Sequence, residues 1–170
     1  MKFLSLLCLF ILPVNFGWAE DAQAARIRRK IASTPMKQKV ILTDEQWRQI
    51  LTPGQFQVLR QAKTEAPYKN RYWNNHEKGT YLCAACGNRL FGSETKFNSH
   101  TGWPSFYAPL DRDKVTTIMD TSHGMTREEV RCARCGSHLG HLFNDGPPPT
   151  YVRYCLNSAA LKFMQSTAGQ

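Results

Sequence analysis

Apolar residues are distributed along this chain in three ways. Phe3 to Val14 is a near-continuous apolar run. Between Thr43 and Pro67 the spacing is helical. Thr43 and Gln46 make a capping box ahead of Trp47, Ile50 and Leu51. Thr52-Pro53 then opens a second helix, with proline at its first position and Phe56, Leu59 and Ala62 on one face. Pro67 is expected to end it. Beyond Pro67 the runs shorten to strand length, divided by glycine, proline and asparagine: Thr80-Leu82, Arg89-Phe91, Val115-Met119, Glu129-Arg131 and Tyr151-Asn157. Ser158 is expected to cap a last helix carrying Ala159, Leu161 and Phe163. The pattern predicts a mainly β fold, a small antiparallel domain with short helices at its N- and C-terminal ends.

The first run has a different meaning. Lys2, the apolar stretch and the small residues of Gly17-Trp18-Ala19 make residues 1–19 a signal peptide, too short to span a bilayer permanently. No later segment could cross a membrane. The chain is therefore expected to be exported, into a periplasm. Residues 20–39, rich in alanine, arginine and lysine, read as a basic flexible linker, and residues 40–166 as the single catalytic domain.

The formal charge of +9 invites a nucleic-acid reading. Its location weakens that reading. Arg26, Arg28, Arg29, Lys30, Lys37 and Lys39 all fall in the linker, and from Val40 onward 15 basic residues face 11 acidic ones. A solvated leader explains the cluster better than a specific nucleic-acid site.

Two pentapeptides repeat: Cys83-Ala84-Ala85-Cys86-Gly87 and Cys132-Ala133-Arg134-Cys135-Gly136. Two cysteines three apart on a tight turn present both sulfurs to one ion, and the glycine tolerates the positive φ that the turn needs. Two such turns make a closed, structural Cys₄ zinc site. Redox-active pairs and local disulfides compete with it, although a four-residue ring gives poor disulfide geometry. A nucleic-acid zinc ribbon needs roughly 15–20 residues between its pairs, and here 45 intervene. Cys8 leaves with the signal, so Cys155 is unpaired. As a strand, Arg153-Tyr154-Cys155-Leu156-Asn157 puts Arg153, Cys155 and Asn157 on one face. A guanidinium there can lower the thiol pKa and raise the thiolate fraction. Pairing of Arg153 with a surface carboxylate is the alternative.

With these residues the chain resembles the B-type methionine sulfoxide reductases. The matching stretches are Glu77-Lys78-Gly79-Thr80-Tyr81, the two Cys-x-x-Cys-Gly turns, Gly102-Trp103-Pro104-Ser105-Phe106 and His123-Gly124-Met125. Ser137-His138-Leu139-Gly140-His141-Leu142-Phe143, Asp145-Gly146-Pro147 and Arg153 to Ser158 complete them, over residues 40–163. The resemblance implies two small antiparallel sheets, with the zinc remote from the active site. It implies attack of the Cys155 thiolate on the sulfur of the R sulfoxide, in proteins or as the free amino acid, giving methionine and a Cys155 sulfenic acid. His138 and His141 become the candidate acid and orienting groups. Strict alternation would put them on opposite faces, so Gly140 is expected to mark a bend. Trp103 becomes the wall for the substrate methyl, and Asn157 and Asp145 its hydrogen-bonding neighbours. Without the resemblance, Trp103 reads as a core tryptophan and the histidines as ordinary hydrogen-bonded ones. Many relatives carry a resolving cysteine just before Gly-Trp-Pro-Ser-Phe, where this chain has Thr101, so recycling is expected to fall to an external thioredoxin-like dithiol. A monomer is expected. The rival class is a non-enzymatic zinc module that binds nucleic acid or protein through its basic arm.

Overall fold

The computed structural model describes residues 16–166; the apolar run of the expected signal peptide lies outside them. The first element corrects the linker expectation. Helix α1 spans Phe16–Ser33. Alanine, arginine and lysine are strong helix formers, and Ala24, Ile27 and Ile31 recur at helical spacing as a buried stripe. The chain beyond it is also tied down. Arg134 donates to the Ile31 and Thr34 carbonyls at 3.0 and 2.7 Å, and the Val40 N–H donates to the Arg134 carbonyl at 2.8 Å. No helix among the described residues is long and apolar enough to cross a membrane.

Two short helices follow, α2 at Asp44–Ile50 and α3 at Pro53–Gln61. Both open on complete capping boxes, Thr43 with Gln46 and Thr52 with Gln55, the second one unforeseen. Such caps contribute about 1 kcal/mol each. Helix α3 ends earlier than Pro67, where Ala62 turns left-handed at φ 53°. Residues beyond it are drawn away to hold the site described below.

The remaining chain makes two antiparallel sheets. Strands β1 (Gly79–Cys83), β2 (Arg89–Gly92) and β9 (Leu161–Gln165) form the smaller, in the order β2-β1-β9. The larger contains β3 (Lys96–Phe97), β4 (Ser105–Phe106), β5 (Val115–Asp120), β6 (Arg127–Cys132), β7 (His138–Phe143) and β8 (Arg153–Leu156). Its order is β3-β4-β8-β7-β6-β5. The aromatic core joins the sheets: Phe106 of the larger lies 4.7 Å from Phe91 and 5.0 Å from Tyr81 of the smaller, ring centre to ring centre. Each such buried ring contributes roughly 1.5–3 kcal/mol.

The expected C-terminal helix is not there. Ser158–Ala160 is a single 3-10 turn, and β9 follows. Leu161 is buried, Lys162 exposed, Phe163 half-buried and Met164 exposed, a period of two. Phe163 pairs with Tyr81 across the ladder, the rings 4.9 Å apart. That partner decides the conformation, because three apolar residues are too few to distinguish the two periods.

Candidate active site and metal centre

The two Cys-x-x-Cys turns meet where β1 and β6 end, so the site clips one sheet to the other. Gly87 and Gly136 hold φ of 73° and 69°, and their N–H groups close the turns onto the Cys83 and Cys132 carbonyls. All four sulfurs are buried and lie within 4.8 Å of one another, Cys83 to Cys135 at 3.7 Å and Cys86 to Cys132 at 3.6 Å. Four thiolates at about 2.3 Å from one tetrahedral ion would stand ~3.8 Å apart. Without a cation the sulfurs oppose one another's ionisation, and those of Cys132 and Cys135 push the Cys83 thiol well up. A metal ion resolves this repulsion. The donor set is closed and sulfur-only, that of a structural metal site.

The remaining cysteine belongs to the larger sheet. In the ladder Cys155 stands directly opposite Ser105 of β4 on one side and His141 of β7 on the other. The row continues to Phe97 beyond Ser105 and to Glu129 and Ile118 beyond His141, crossing all six strands on one face. Gly140 lets β7 and β8 approach, since a Cβ there would meet the Cys155 carbonyl oxygen at 2.0 Å. Cys155 itself is half-buried. Burial pushes its thiol up, opposed by the Arg153 guanidinium and by the neighbouring hydroxyl groups of Thr101 and Ser105. Arg153 thus favours the thiolate, as the strand pattern suggested, but burial outweighs it and the net direction is upward. The hydroxyl group of Ser99 links its two neighbours, at 2.8 Å to Thr101 and 2.7 Å to Ser105.

Arg153 is buried and held on two sides. Its Nε and Nη2 donate to the two Asp145 carboxylate oxygens at 2.8 Å each, and its guanidinium carbon lies 4.4 Å from the centre of the Phe143 ring. Asp145, expected beside the substrate, is the partner of Arg153, with its own side chain 60 % exposed. Asn157 makes two hydrogen bonds within the protein. Its amide donates to the Leu139 carbonyl at 3.2 Å and its Oδ1 accepts from the Glu65 N–H at 3.1 Å. The Glu65 carbonyl in turn accepts from the Trp103 indole at 3.0 Å, so Asn157 braces the half-buried Trp103 through one residue's backbone. The Glu65 carboxylate accepts from the N–H groups of Ser158 and Ala159; burial pushes its pKa up.

His138 and His141 do come together, their ring centres 5.4 Å apart. The device is a bulge. Val130 pairs with Gly140 but Arg131 pairs with His138, leaving Leu139 as the extra residue on β7. One extra residue returns two positions three apart to the same face, near the expected bend at Gly140. Each ring meets a carboxylate, His138 Nδ1 at Glu129 (2.7 Å) and His141 Nε2 at Asp120 (2.8 Å). Burial lowers the pKa of His138. Asp120, Glu129, Glu65, Ser99 and Ser105 were not singled out by the sequence reading. None carried a local signal: Glu129, for example, sits in Arg127-Glu128-Glu129-Val130-Arg131, where its neighbours on the same strand face are arginines.

Comparison with known proteins joins these features to a family. The family model described as the SelR domain matches residues 51–165. A peptide methionine sulfoxide reductase MsrB of Methanosarcina barkeri is 53 % identical over 136 residues, covering 79 % of this chain and 96 % of that protein. Proteins of the same name match from Thiobacillus denitrificans (55 %, covering 71 % and 92 %) and Bradyrhizobium diazoefficiens (56 %, covering 73 % and 89 %). The chain belongs to the SelR family, that of the B-type methionine sulfoxide reductases. The SelR match takes in both Cys-x-x-Cys turns and every site residue from Trp103 to Asn157, and begins after α1 and α2.

Proposed function

We propose that this protein reduces the R epimer of methionine sulfoxide, in proteins or as the free amino acid, with Cys155 as nucleophile. The observation that carries the reading is the row Ser105-Cys155-His141, one thiol set between a hydroxyl and an imidazole beside a clamped guanidinium, in a chain of the SelR family. The Cys155 sulfur attacks the sulfoxide sulfur. A proton reaches the oxygen as the S–O bond weakens, and methionine leaves behind a Cys155 sulfenic acid. The positive charge of Arg153, on the same face as the thiol, favours the thiolate at the moment of attack. Trp103 offers the wall for the ε-methyl group. Thr101 stands where many relatives supply a second thiol, so an external thioredoxin-like dithiol regenerates the cysteine.

The metal is zinc on this reading, because sulfur-only tetrahedral sites suit it, and Cys83, Cys86, Cys132 and Cys135 hold it. It supplies stability and takes no part in the reaction. The protein acts as a monomer after export to a periplasm, a location that rests on the apolar leader of residues 1–19. Cell fractionation with the intact mass of the exported chain tests both location and processing. The family match disfavours the zinc-module alternative.

Cys155→Ser is the decisive variant. We expect it to lose R-sulfoxide reduction by more than about a thousandfold while metal content and melting temperature stay unchanged. Substantial residual turnover, or wild-type activity equal on both epimers, would contradict the proposal.

A further inference from the structure

The two histidines of the site are held by opposite nitrogens, and the carboxylate holding each is itself anchored. His141 turns Nε2 to Asp120 at 2.8 Å, and Arg127 grips the same Asp120 oxygen at 2.9 Å while the Ser122 N–H donates to the other at 2.9 Å. His138 turns Nδ1 to Glu129, whose second oxygen pairs with Arg131 at 2.8 Å. An ionised carboxylate only accepts hydrogen bonds, so the nitrogen facing it carries the proton. His141 is left with Nδ1 to act, whereas His138 is left with Nε2, which is buried without a partner.

We propose that Asp120, fixed by Arg127, is the positioning residue that makes His141 the proton donor of the reaction, acting through Nδ1. This deepens the proposed function and rests on it. His141 stands directly opposite Cys155 in the ladder, which sets acid and nucleophile side by side on one face. The charged and titratable groups facing it are Asp120 from β5, Arg127, Glu129 and Arg131 from β6, Cys155 and Arg153 from β8, and His138 from its own strand. Helix α3, packed on β7, carries one charge, Arg60, directed to Asp44 and the Cys135 carbonyl. Hydrogen bonds from Ser122, His141 and Arg127 hold the Asp120 carboxyl well below the usual carboxylate range, so it stays ionised beside the ring. His138 lacks that advantage, since burial favours its neutral form. The division of labour follows: His141 presents Nδ1 beside an ionised carboxylate, and His138 stays neutral.

The step balances. The Cys155 thiolate and the sulfoxide, plus one proton from His141 Nδ1, give the thioether and the sulfenic acid. The sulfoxide sulfur gains the two electrons that Cys155 loses. His141, now neutral, recovers a proton from solvent.

The test compares Asp120→Asn and Asp120→Glu with wild type, using free R-methionine sulfoxide and dithiothreitol across about pH 5.5 to 9. Without the carboxylate the ring loses the anionic acceptor that fixes its Nε2 proton and its orientation. The alkaline limb of kcat should move to lower pH, with kcat down about 10- to 100-fold near pH 8 and much less near pH 6. KM should change little, and Asp120→Glu should restore the wild-type profile. A kcat lowered by one factor at every pH, or an unchanged profile, would overturn the inference. Should the variants fold poorly, ring-nitrogen NMR of the wild type still decides. Neutral His141 must carry its proton on Nε2 and His138 on Nδ1, and the reverse pattern would sink the idea. A wild-type chain without R-sulfoxide activity would instead overturn the proposed function, while these spectra still judged the Asp120–His141 bond.

Discussion

Five cysteines are described in this chain, and they occupy two contrasting regions. At the turns joining the sheets, four sulfurs are buried and their nearest partners are one another, at 3.6 and 3.7 Å. In the middle of the larger sheet one sulfur is half-buried, and its neighbours are two hydroxyl groups and a guanidinium. The element is the same, but the first arrangement exhausts the sulfurs' bonding on an ion, whereas the second leaves a sulfur unsatisfied beside groups that exchange protons. The regions also differ in support. The turns are held by glycines at positive φ and short backbone hydrogen bonds, a local device. The setting of the Cys155 thiol depends on strands from distant parts of the chain being in register. Reactivity is assigned here by the neighbours that topology supplies, not by the cysteine.

The contrast breaks most sharply at the metal. Cys132→Ser removes one of four ligands and leaves three buried thiols opposed to each other's ionisation. Losing a structural metal site or a buried charge cluster costs several kcal/mol, so the melting temperature should fall by at least roughly 10 °C, with the metal lost and activity falling as the fold does. Metal analysis alongside thermal unfolding checks this. A variant that loses its metal yet melts within a degree or two of wild type would remove the structural role.

The halves of the comparison were unequally legible in the sequence. The metal site is written in two local repeats whose spacing and following glycine carry its geometry, so it could be read before any fold was known. The thiol's strand face could also be read, since Arg153 and Cys155 alternate. The rest of the site could not. His138 and His141 share a face only because of an extra residue in β7, a mismatch that exists relative to β6 and nowhere in the strand alone. Asp120 and Glu129 matter because of the strands they pair with. The same dependence explains two misreadings: Leu161–Gln165 took strand form because β1 was there to pair with, and α1 looked like a linker because Arg134, which holds its end, lies 103 residues beyond Ile31. The capping box at Thr43 and the two Cys-x-x-Cys-Gly turns were read correctly; choices made by a distant partner were not.

A smaller effect sharpens the contrast on the thiol side. Burial raises the Cys155 thiol above its ordinary 9.0, and Arg153 counters part of that rise. Arg153→Ala should therefore move the half-point for alkylation of Cys155 further into the alkaline range, lower the rate of labelling at pH 7, and reduce kcat/KM by about 10- to 100-fold. The sign is fixed: removing a cation disfavours the anion. The four metal cysteines should stay unlabelled throughout in the metal-bound protein. A half-point that moves down on losing Arg153 would refute the assignment.

The smallest predicted effect tests why Arg153 sits where it does. Asp145 meets it with two hydrogen bonds of 2.8 Å, yet the Asp145 side chain is 60 % exposed while Arg153 is buried. An ion pair with one partner in solvent contributes about 0–1 kcal/mol, and Arg153 keeps the Phe143 ring 4.4 Å from its guanidinium if the carboxylate is lost. Asp145→Asn retains one acceptor oxygen and removes the charge. It should lower kcat/KM only about 3- to 10-fold and the melting temperature by less than about 3 °C, and raising the salt on wild type should reproduce part of the kinetic loss. The alternative role for Asp145, direct contact with the substrate, predicts another result. The loss would then equal that of Arg153→Ala, appear mainly in KM, and leave the alkylation half-point of Cys155 unmoved. Measuring both variants for kcat, KM and thiol reactivity separates an anchor from a substrate ligand, because an anchor must change the reactivity of the thiol that its arginine faces.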